Sequence, residues 1–389
     1  MKIVLFFVAF TVVNLFWIVA VHRAILRYVN NVFAKGSEET VAKSLDICQV
    51  TQENLESAFD VQLTLLPTPN RTELFKEVAT GGLWAPMSCK PRDHVAIIIP
   101  YRDRQEHLDI LLQNLHPFLQ SQKCHYQIFV VEQALPEPYN LGYTRNVGFV
   151  EASAVFNFTC YIFHDVDKIP MNNSLLYRCP PDRVLHLASA EDRNQYDLMY
   201  PNYIGGVIGT APDTFKKLNG FPNNYIRWGG EDDDFFQRSV SQKVPIEHAH
   251  TQLGMYRVLN HTRPPGYDNK EKGDMNQFAS KLYKHYGPLI DGLNTLNYTR
   301  LATEYRPTYT WIKFNFDQKS MMKNVWKGIM DAKYDKMVNN TYWAVNYTRA
   351  NELFPKINSD IKREAQTSTT KKRKKKNRVR KKGRKLYRH

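Results

Sequence analysis

The sequence predicts an α/β fold with a mostly parallel central sheet. Three observations carry that expectation. Val95-Ala-Ile-Ile-Ile99 is an unbroken apolar, β-branched run, the pattern of a strand buried on both faces. Between Val95 and Phe163 such runs alternate with segments whose apolar residues recur at helical spacing. The 389 residues are 43% hydrophobic and 13% aromatic, enough for one large globular domain with extensions.

The elements follow in order. Arg104–Leu119 reads as a helix, Tyr126–Val131 as a second strand, Asn146–Ala154 as a second helix and Cys160–Phe163 as a third strand. Val184–Ala188 and Tyr203–Gly209 read as further strands. Pro212–Leu218 is a short helix ending at Asn219-Gly220, and Asp234–Gln242 is a helix that starts on an acidic run. Beyond about Asp317 the pattern changes: Met321–Asp335 is amphipathic, and Asn339–Thr348 holds two glycosylation sequons. No repeat of roughly 20–50 residues is visible.

The termini are distinct objects. Ile3–Val21 is a 19-residue run without charge, against the ~20 residues that a spanning helix needs. His22, Arg23 and Arg27 follow it rather than a small-x-small cleavage site, so it reads as an uncleaved anchor, with a signal peptide as the alternative. Basic residues flank both ends and leave orientation open. Sequons at Asn70, Asn157, Asn172, Asn260, Asn297, Asn339 and Asn346 all come after the run, which points to a luminal body. Formal charge is +15, of which Lys371–His389 contributes 13 Lys/Arg and no acid, leaving +2 for the rest. That tail reads as a solvated segment. In a lumen its partner class would be a polyanion, either sulfated glycosaminoglycan or acidic lipid. Nucleic acid would need cytosolic exposure, which a luminal C-terminus denies. Five cysteines in a secretory chain predict two bridges and one leftover thiol, with the pairing open.

In open α/β sheets, ligands bind beyond the carboxyl ends of the strands. After the first strand comes Pro100-Tyr-Arg-Asp-Arg104, whose aromatic and two arginines suit stacking a base and pairing a phosphate. A plain strand-to-helix loop is the alternative. After the third strand comes His164-Asp-Val-Asp167. Side chains at i and i+2 of an extended segment share a side, so one carboxylate can take a divalent ion and the other a neighbouring ligand. Hard oxygen ligands suit Mg²⁺ or Mn²⁺ on a diphosphate. Arg227-Trp-Gly-Gly-Glu-Asp-Asp-Asp-Phe-Phe236 sets four carboxylates in a row. Asp234, with Asp233, reads as capping a helix there, where the dipole favours negative charge.

These segments resemble the β-1,4-galactosyltransferase family, Golgi type II membrane glycosyltransferases. The matching stretches are Val95–Leu108, Asn146–Phe149, His164–Asn172, Tyr203–Gly206, Gly220–Asp234 and Asp291–Asn294, in family order. The resemblance implies a GT-A-type nucleotide-diphospho-sugar transferase fold for luminal residues 48–317. Around it would lie cytoplasmic residues 1–2, an anchor over 3–21, a stem over 22–47, a C-terminal extension over 318–370 and the basic tail over 371–389. It implies inverting, metal-dependent transfer of galactose from UDP-galactose to an acceptor 4-hydroxyl, usually of terminal N-acetylglucosamine, on glycoproteins or glycolipids.

The resemblance also implies roles. Asp232 would be the general base, with Glu231 and Asp233 bonding sugar hydroxyls. Pro100, Tyr101, Arg102, Arg104, Tyr139, Asp165, Arg193, Tyr203 and Trp228 would line the donor site. A bulky Tyr at position 203 goes with galactose, and Leu or Ile goes with N-acetylgalactosamine. Tyr200, Tyr225, Gly229, Gly230 and Phe278 would meet the acceptor. Asp167 and His261 would bind the metal. Cys48–Cys89 and Cys160–Cys179 would be the bridges, leaving Cys124 free. The chain departs from the family at Leu141 (Arg in the family), at Gln277 (Arg) and at Val258, where a Met ligand is replaced by a side chain that cannot ligate. Mn²⁺ is the expected cofactor, and loss of the soft thioether makes Mg²⁺ more acceptable. The rival readings are a UDP-N-acetylgalactosamine-using transferase of the same family and a catalytically weak glycan-binding homologue.

Overall fold

The computed structural model describes residues 45–56, 60–226, 229–260, 276, 279–280, 283 and 287–317. The expected anchor, nearly all of the stem, the C-terminal extension with Met321–Asp335, and the basic tail lie outside the described residues. Among the described residues, no helix is long and apolar enough to cross a membrane. Residues 45–48 and 87–90 form a small unit closed by the Cys48–Cys89 disulfide. Residues 49–86 and 91 onward belong to the large unit.

The strands of the large unit are β1 (Leu83–Trp84), β2 (His94–Tyr101), β3 (His125–Gln133), β4 (Cys160–His164), β5 (Lys168–Pro170), β6 (Val184–His186), β7 (Ala190–Glu191), β8 (Val207–Thr210), β9 (Ile246–His248), β10 (Met255–Val258), β11 (Thr299–Tyr305) and β12 (Thr310–Asn315). The helices are α1 (Thr68–Leu74), α2 (Gln105–Ser121), α3 (Leu141–Val155), α4 (Pro212–Lys217) and α5 (Glu231–Ser241).

The main sheet runs β11-β12-β3-β2-β4-β8-β6-β9, with β1 paired to β3. Strands β12, β3, β2 and β4 are mutually parallel. The sheet as a whole is mixed, which corrects the mostly parallel expectation: β8 lies antiparallel between β4 and β6, and β11 antiparallel beside β12. Parallel neighbours need a long crossover, usually a helix. Helix α2 supplies it for β2–β3, and α3 carries the chain from β3 back across β2 to β4. No α-helix lies between β4 and β8 in the chain, only the 3-10 turn Asp192–Asn194.

Alternation along β2 builds the core. Val95, Ile97 and Ile99 pack with Leu108, Leu111 and Leu115 of α2. Ala96 and Ile98 pack with Tyr143 and Val147 of α3 and with Phe215 and Phe235 of α4 and α5. Helix α3 approaches the sheet through Gly148, where a Cβ would collide with Ile98. The second disulfide, Cys160–Cys179, ties β4 to the segment before β6, and Cys124 is a buried free thiol. Both bridges are those the resemblance implied.

Helix α3 begins five residues before the expected Asn146, because the Asn140 side chain caps it by accepting from the Tyr143 amide at 2.9 Å. Strand β8 starts only after Gly206, whose φ of +86° breaks the extended run expected from Tyr203. A second, three-stranded sheet has the order β5-β10-β7.

Candidate active site

Because β2, β3 and β4 are parallel, their carboxyl ends bring three segments to one edge: Arg102–Arg104, the stretch after Gln133, and Asp165–Asp167. Pro100 and Tyr101 end β2, and Tyr101 is buried. Arg102 turns toward the neighbouring loop. Its guanidinium donates to the carbonyls of Gln133, Ala134 and Glu137 at 3.1–3.2 Å and lies 5.1 Å from the Tyr139 ring. This arginine therefore shapes the loop that carries Tyr139. Arg104 is half-buried beside His107, at 3.5 Å.

Asp165 follows β4 and lies 2.7 Å from the guanidinium of Arg145, which is 3.8 Å from Glu231 and stacks on Phe221 at 4.8 Å. Arg145 is 1% exposed. Burial alone would lower its pKa, but Asp165 and Glu231 more than offset that. The residue sits one turn beyond Leu141 on α3. From sequence it is a candidate to compensate for Leu141, four residues earlier; its pairing with Asp165 and Glu231 was not legible there.

The four carboxylates occupy the first turn of α5. The helix starts at Glu231, three residues earlier than expected. Gly229 and Gly230 both hold positive φ, +97° and +98°, and Gly230 is the N-cap without any side-chain cap bond. A Cβ on Gly230 would collide with the ring of Tyr225, which is buried. Asp234 does not cap. Its carboxylate takes Arg238 Nε at 2.7 Å, and Arg238 also reaches Asp291 Oδ1 at 3.1 Å. Asp291 in turn accepts from the Asn223 amide at 2.8 Å and the Asn224 side chain at 3.1 Å. This buried network fixes the strand-like approach to the acidic turn from behind.

The other three acids divide by exposure: Glu231 is buried, Asp232 half-buried and Asp233 exposed. Tyr200 donates to Asp233 Oδ1 at 2.8 Å, and its ring meets that of Tyr203 at 5.3 Å. Burial, and then Asp232, push Glu231 up to about 8. Burial, and then Asp233, raise Asp232. Asn276 accepts from the Ile226 amide and donates to the Gly229 carbonyl, bracing the loop that leads into the helix.

On the other side of the site, Glu191 is buried between Lys168 and Arg193, at 2.7 and 2.6 Å. Asp192 holds Arg257 at 3.0 Å and accepts from the Val258 amide at 3.0 Å. Arg193, Arg257, Val258 and Asn260 line a cavity of about 390 Å³.

Asp167 has its carbonyl bonded by the Leu259 amide at 2.9 Å, which brings the Val258–Asn260 segment alongside it. His261, Trp228 and Phe278 lie outside the described residues, as does Gln277. Among the described residues, no cluster of three or more His, Cys, Asp or Glu side chains could hold a metal. Asp165 is engaged by Arg145 and the Val258 side chain has no donor atom, while the Asp167 carboxylate is a hard-oxygen ligand type beside that segment. A single carboxylate suits a divalent cation as one hard ligand among several.

A mixed α/β sheet with acidic clusters at its carboxyl edge defines the class, and the sequence comparisons place it among glycosyltransferases. The family models described as "N-terminal region of glycosyl transferase group 7" and "N-terminal domain of galactosyltransferase" match residues 48–180 and 185–262. Beta-1,4-galactosyltransferase 4 of Cricetulus griseus is 36% identical over 293 residues, 72% of this chain and 82% of that protein. Beta-1,4-galactosyltransferase 1 of Homo sapiens is 40% identical over 253 residues, 65% of this chain and 61% of that protein. For beta-1,4-galactosyltransferase 3 of Rattus norvegicus the identity is 39%, over 64% of this chain and 63% of that protein. The chain thus spans less than two thirds of the last two relatives. The chain belongs to the β-1,4-galactosyltransferase family. Among solved structures, the catalytic domain of Drosophila beta1,4galactosyltransferase 7 in complex with xylobiose has a TM-score of 0.49 at 25% identity, covering 58% of this chain and 94% of that one.

Proposed function

We propose that this protein is an inverting, metal-dependent galactosyltransferase. It moves galactose from UDP-galactose to the 4-hydroxyl of an acceptor sugar, terminal N-acetylglucosamine on glycoproteins or glycolipids. The observation that carries the reading is the first turn of α5 in a β-1,4-galactosyltransferase chain: half-buried Asp232 stands between buried Glu231 and exposed Asp233, next to Tyr200. Asp232 takes the acceptor proton, and burial with Asp233 beside it raises its proton affinity, the direction that a general base requires. The freed oxygen attacks the anomeric carbon opposite the leaving diphosphate, so configuration inverts without an enzyme nucleophile.

Glu231 and Asp233 bond sugar hydroxyls, and Gly229 and Gly230 let backbone come close to sugar. Tyr101, Tyr139 and Arg104 hold the nucleotide side, Arg193 the diphosphate, and Tyr200 and Tyr225 the acceptor. Asp165, paired with Arg145, lies on the donor side. Asp167 with His261 would hold Mn²⁺, or Mg²⁺, and a bound cation offsets the charge that builds on the leaving group. Tyr203, buried and 3.5 Å from Glu191, supports galactose over N-acetylgalactosamine by filling the space an acetamido group would need. Residues 48–317 would be the luminal catalytic domain, held at the Golgi membrane by residues 3–21, with the basic tail free to meet polyanions.

The test is a donor and acceptor screen on the full-length protein in detergent, with Asp232→Asn alongside. The expected result is turnover of UDP-galactose that falls about 10²- to 10⁴-fold in the variant, with UDP affinity retained. Equal turnover in the variant removes the base assignment. UDP affinity without turnover in the wild type would favour the glycan-binding homologue.

A further inference from the structure

Lys168 and Glu191 form an ion pair that the donor reading does not use. Their charged atoms are 2.7 Å apart and their side chains are 2% and 1% exposed. They sit on the outer strands of the small sheet, β5 and β7, on either side of β10. Lys168 is in register with Val258 and Glu191 with Tyr256. Backbone closes over the pair at Gly206, where a Cβ would lie 3.2 Å from Glu191 Oε1 and 3.5 Å from Lys168 Cε.

The same carboxylate reaches further. Its Oε2 takes Arg193 Nε at 2.6 Å, and its Oε1 accepts from the Tyr203 hydroxyl at 3.5 Å. One buried group thus touches the residue next to Asp167, the arginine that lines the 390 Å³ cavity, and the tyrosine that fills the donor pocket. A buried ion pair is a weak source of stability, since apolar side chains of similar volume fill the space as well. What such side chains cannot do is orient a guanidinium and a phenol.

We propose that Glu191, held in place by Lys168, is a positioning residue that sets Arg193 for the donor diphosphate and Tyr203 for the donor sugar. The inference rests on the donor-site reading of those two residues. Its effect passes through them; Glu191 itself is too enclosed to meet the donor.

The test is the full-length protein carrying Lys168→Met together with Glu191→Met, which leaves no buried charge without a partner. Calorimetry with UDP in Mn²⁺ buffer reads the first effect, and the turnover ratio of UDP-N-acetylgalactosamine to UDP-galactose reads the second. Loss of a charge-assisted contact predicts UDP affinity weakened about tenfold, a raised ratio, and an unchanged KM for the acceptor. Should the double variant not fold, Glu191→Asp keeps a partner for Lys168 but shortens the reach to Arg193, and reads the same quantities. Unaltered UDP affinity and donor ratio in a folded variant overturn the proposal and leave a merely structural pair. A wild type that binds UDP yet turns over no UDP-galactose, with affinity still falling in the variant, would overturn the function and keep the positioning role.

Discussion

Arg145 Nη2 lies 2.7 Å from Asp165 Oδ1, joining the middle of helix α3 to the end of strand β4. The same guanidinium faces Glu231, so one buried cation connects the two carboxylate groups of the site. Removing it leaves acids in low dielectric without compensation. Arg145→Met is expected to cost about 3–5 kcal/mol of stability, the usual penalty for breaking a buried pair. Urea unfolding checks this; a loss under about 1 kcal/mol, the range of exposed pairs, would show that water reaches Asp165.

Glu231 titrates in the wrong direction for stability at high pH. Burial, and then Asp232, raise its folded pKa from 4.5 to about 8. The folded state therefore holds a proton that the unfolded chain releases. Stability falls as pH rises from about 4.5 to about 8, and the cost is complete above that. Glu231→Gln should flatten this part of the profile. Denaturant midpoints at pH 5, 7 and 9 in chelator, compared with wild type, measure it. Parallel profiles for the two proteins would contradict the shift.

The two glycines before α5 are not equivalent. Both have positive φ, but among the described residues a Cβ on Gly229 meets nothing within 4 Å, whereas one on Gly230 strikes the Tyr225 ring. Gly229→Ala should cost roughly 1–2 kcal/mol from backbone strain alone. Gly230→Ala should cost about 1–3 kcal/mol more from overpacking, and should displace the acidic turn, lowering kcat. Thermal melts and steady-state kinetics separate them, and equal penalties would refute the distinction.

Val258 lines the cavity and is held by Asp192 through its amide. Restoring a thioether with Val258→Met should shift the metal preference toward Mn²⁺, since softer ligands favour it over Mg²⁺. The readout is the ratio of Mg²⁺- to Mn²⁺-supported turnover, expected to fall. A wild type active with Mn²⁺ alone would remove the basis for this expectation.

Strands β2, β3 and β4 were legible because burial on both faces leaves a continuous β-branched run. Strand β11 was not. Nearly all its residues are exposed, so it lacks apolar alternation and owes its place to β12 beside it. The acidic run was legible as a site from its composition and its family resemblance. The separate fates of three of its members were not: Arg145 reaches Glu231 and Tyr200 reaches Asp233 from distant segments, and the Arg238 that pairs with Asp234 is itself held by distant Asp291.

The sequence alone determined the residue types on offer: the Asp165-x-Asp167 pair, the Gly229-Gly230 turn, the carboxylate run and the apolar side chain of Val258. These are local patterns, set by backbone freedom and side-chain chemistry. The tertiary structure decided that Arg102 shapes a loop, that Arg145 bridges two acidic groups, and that Glu191 gathers Lys168, Arg193 and Tyr203. Buried charges take their meaning from what stands within a few ångströms, and the chain brings those neighbours from distant segments, 86 residues apart for Arg145 and Glu231.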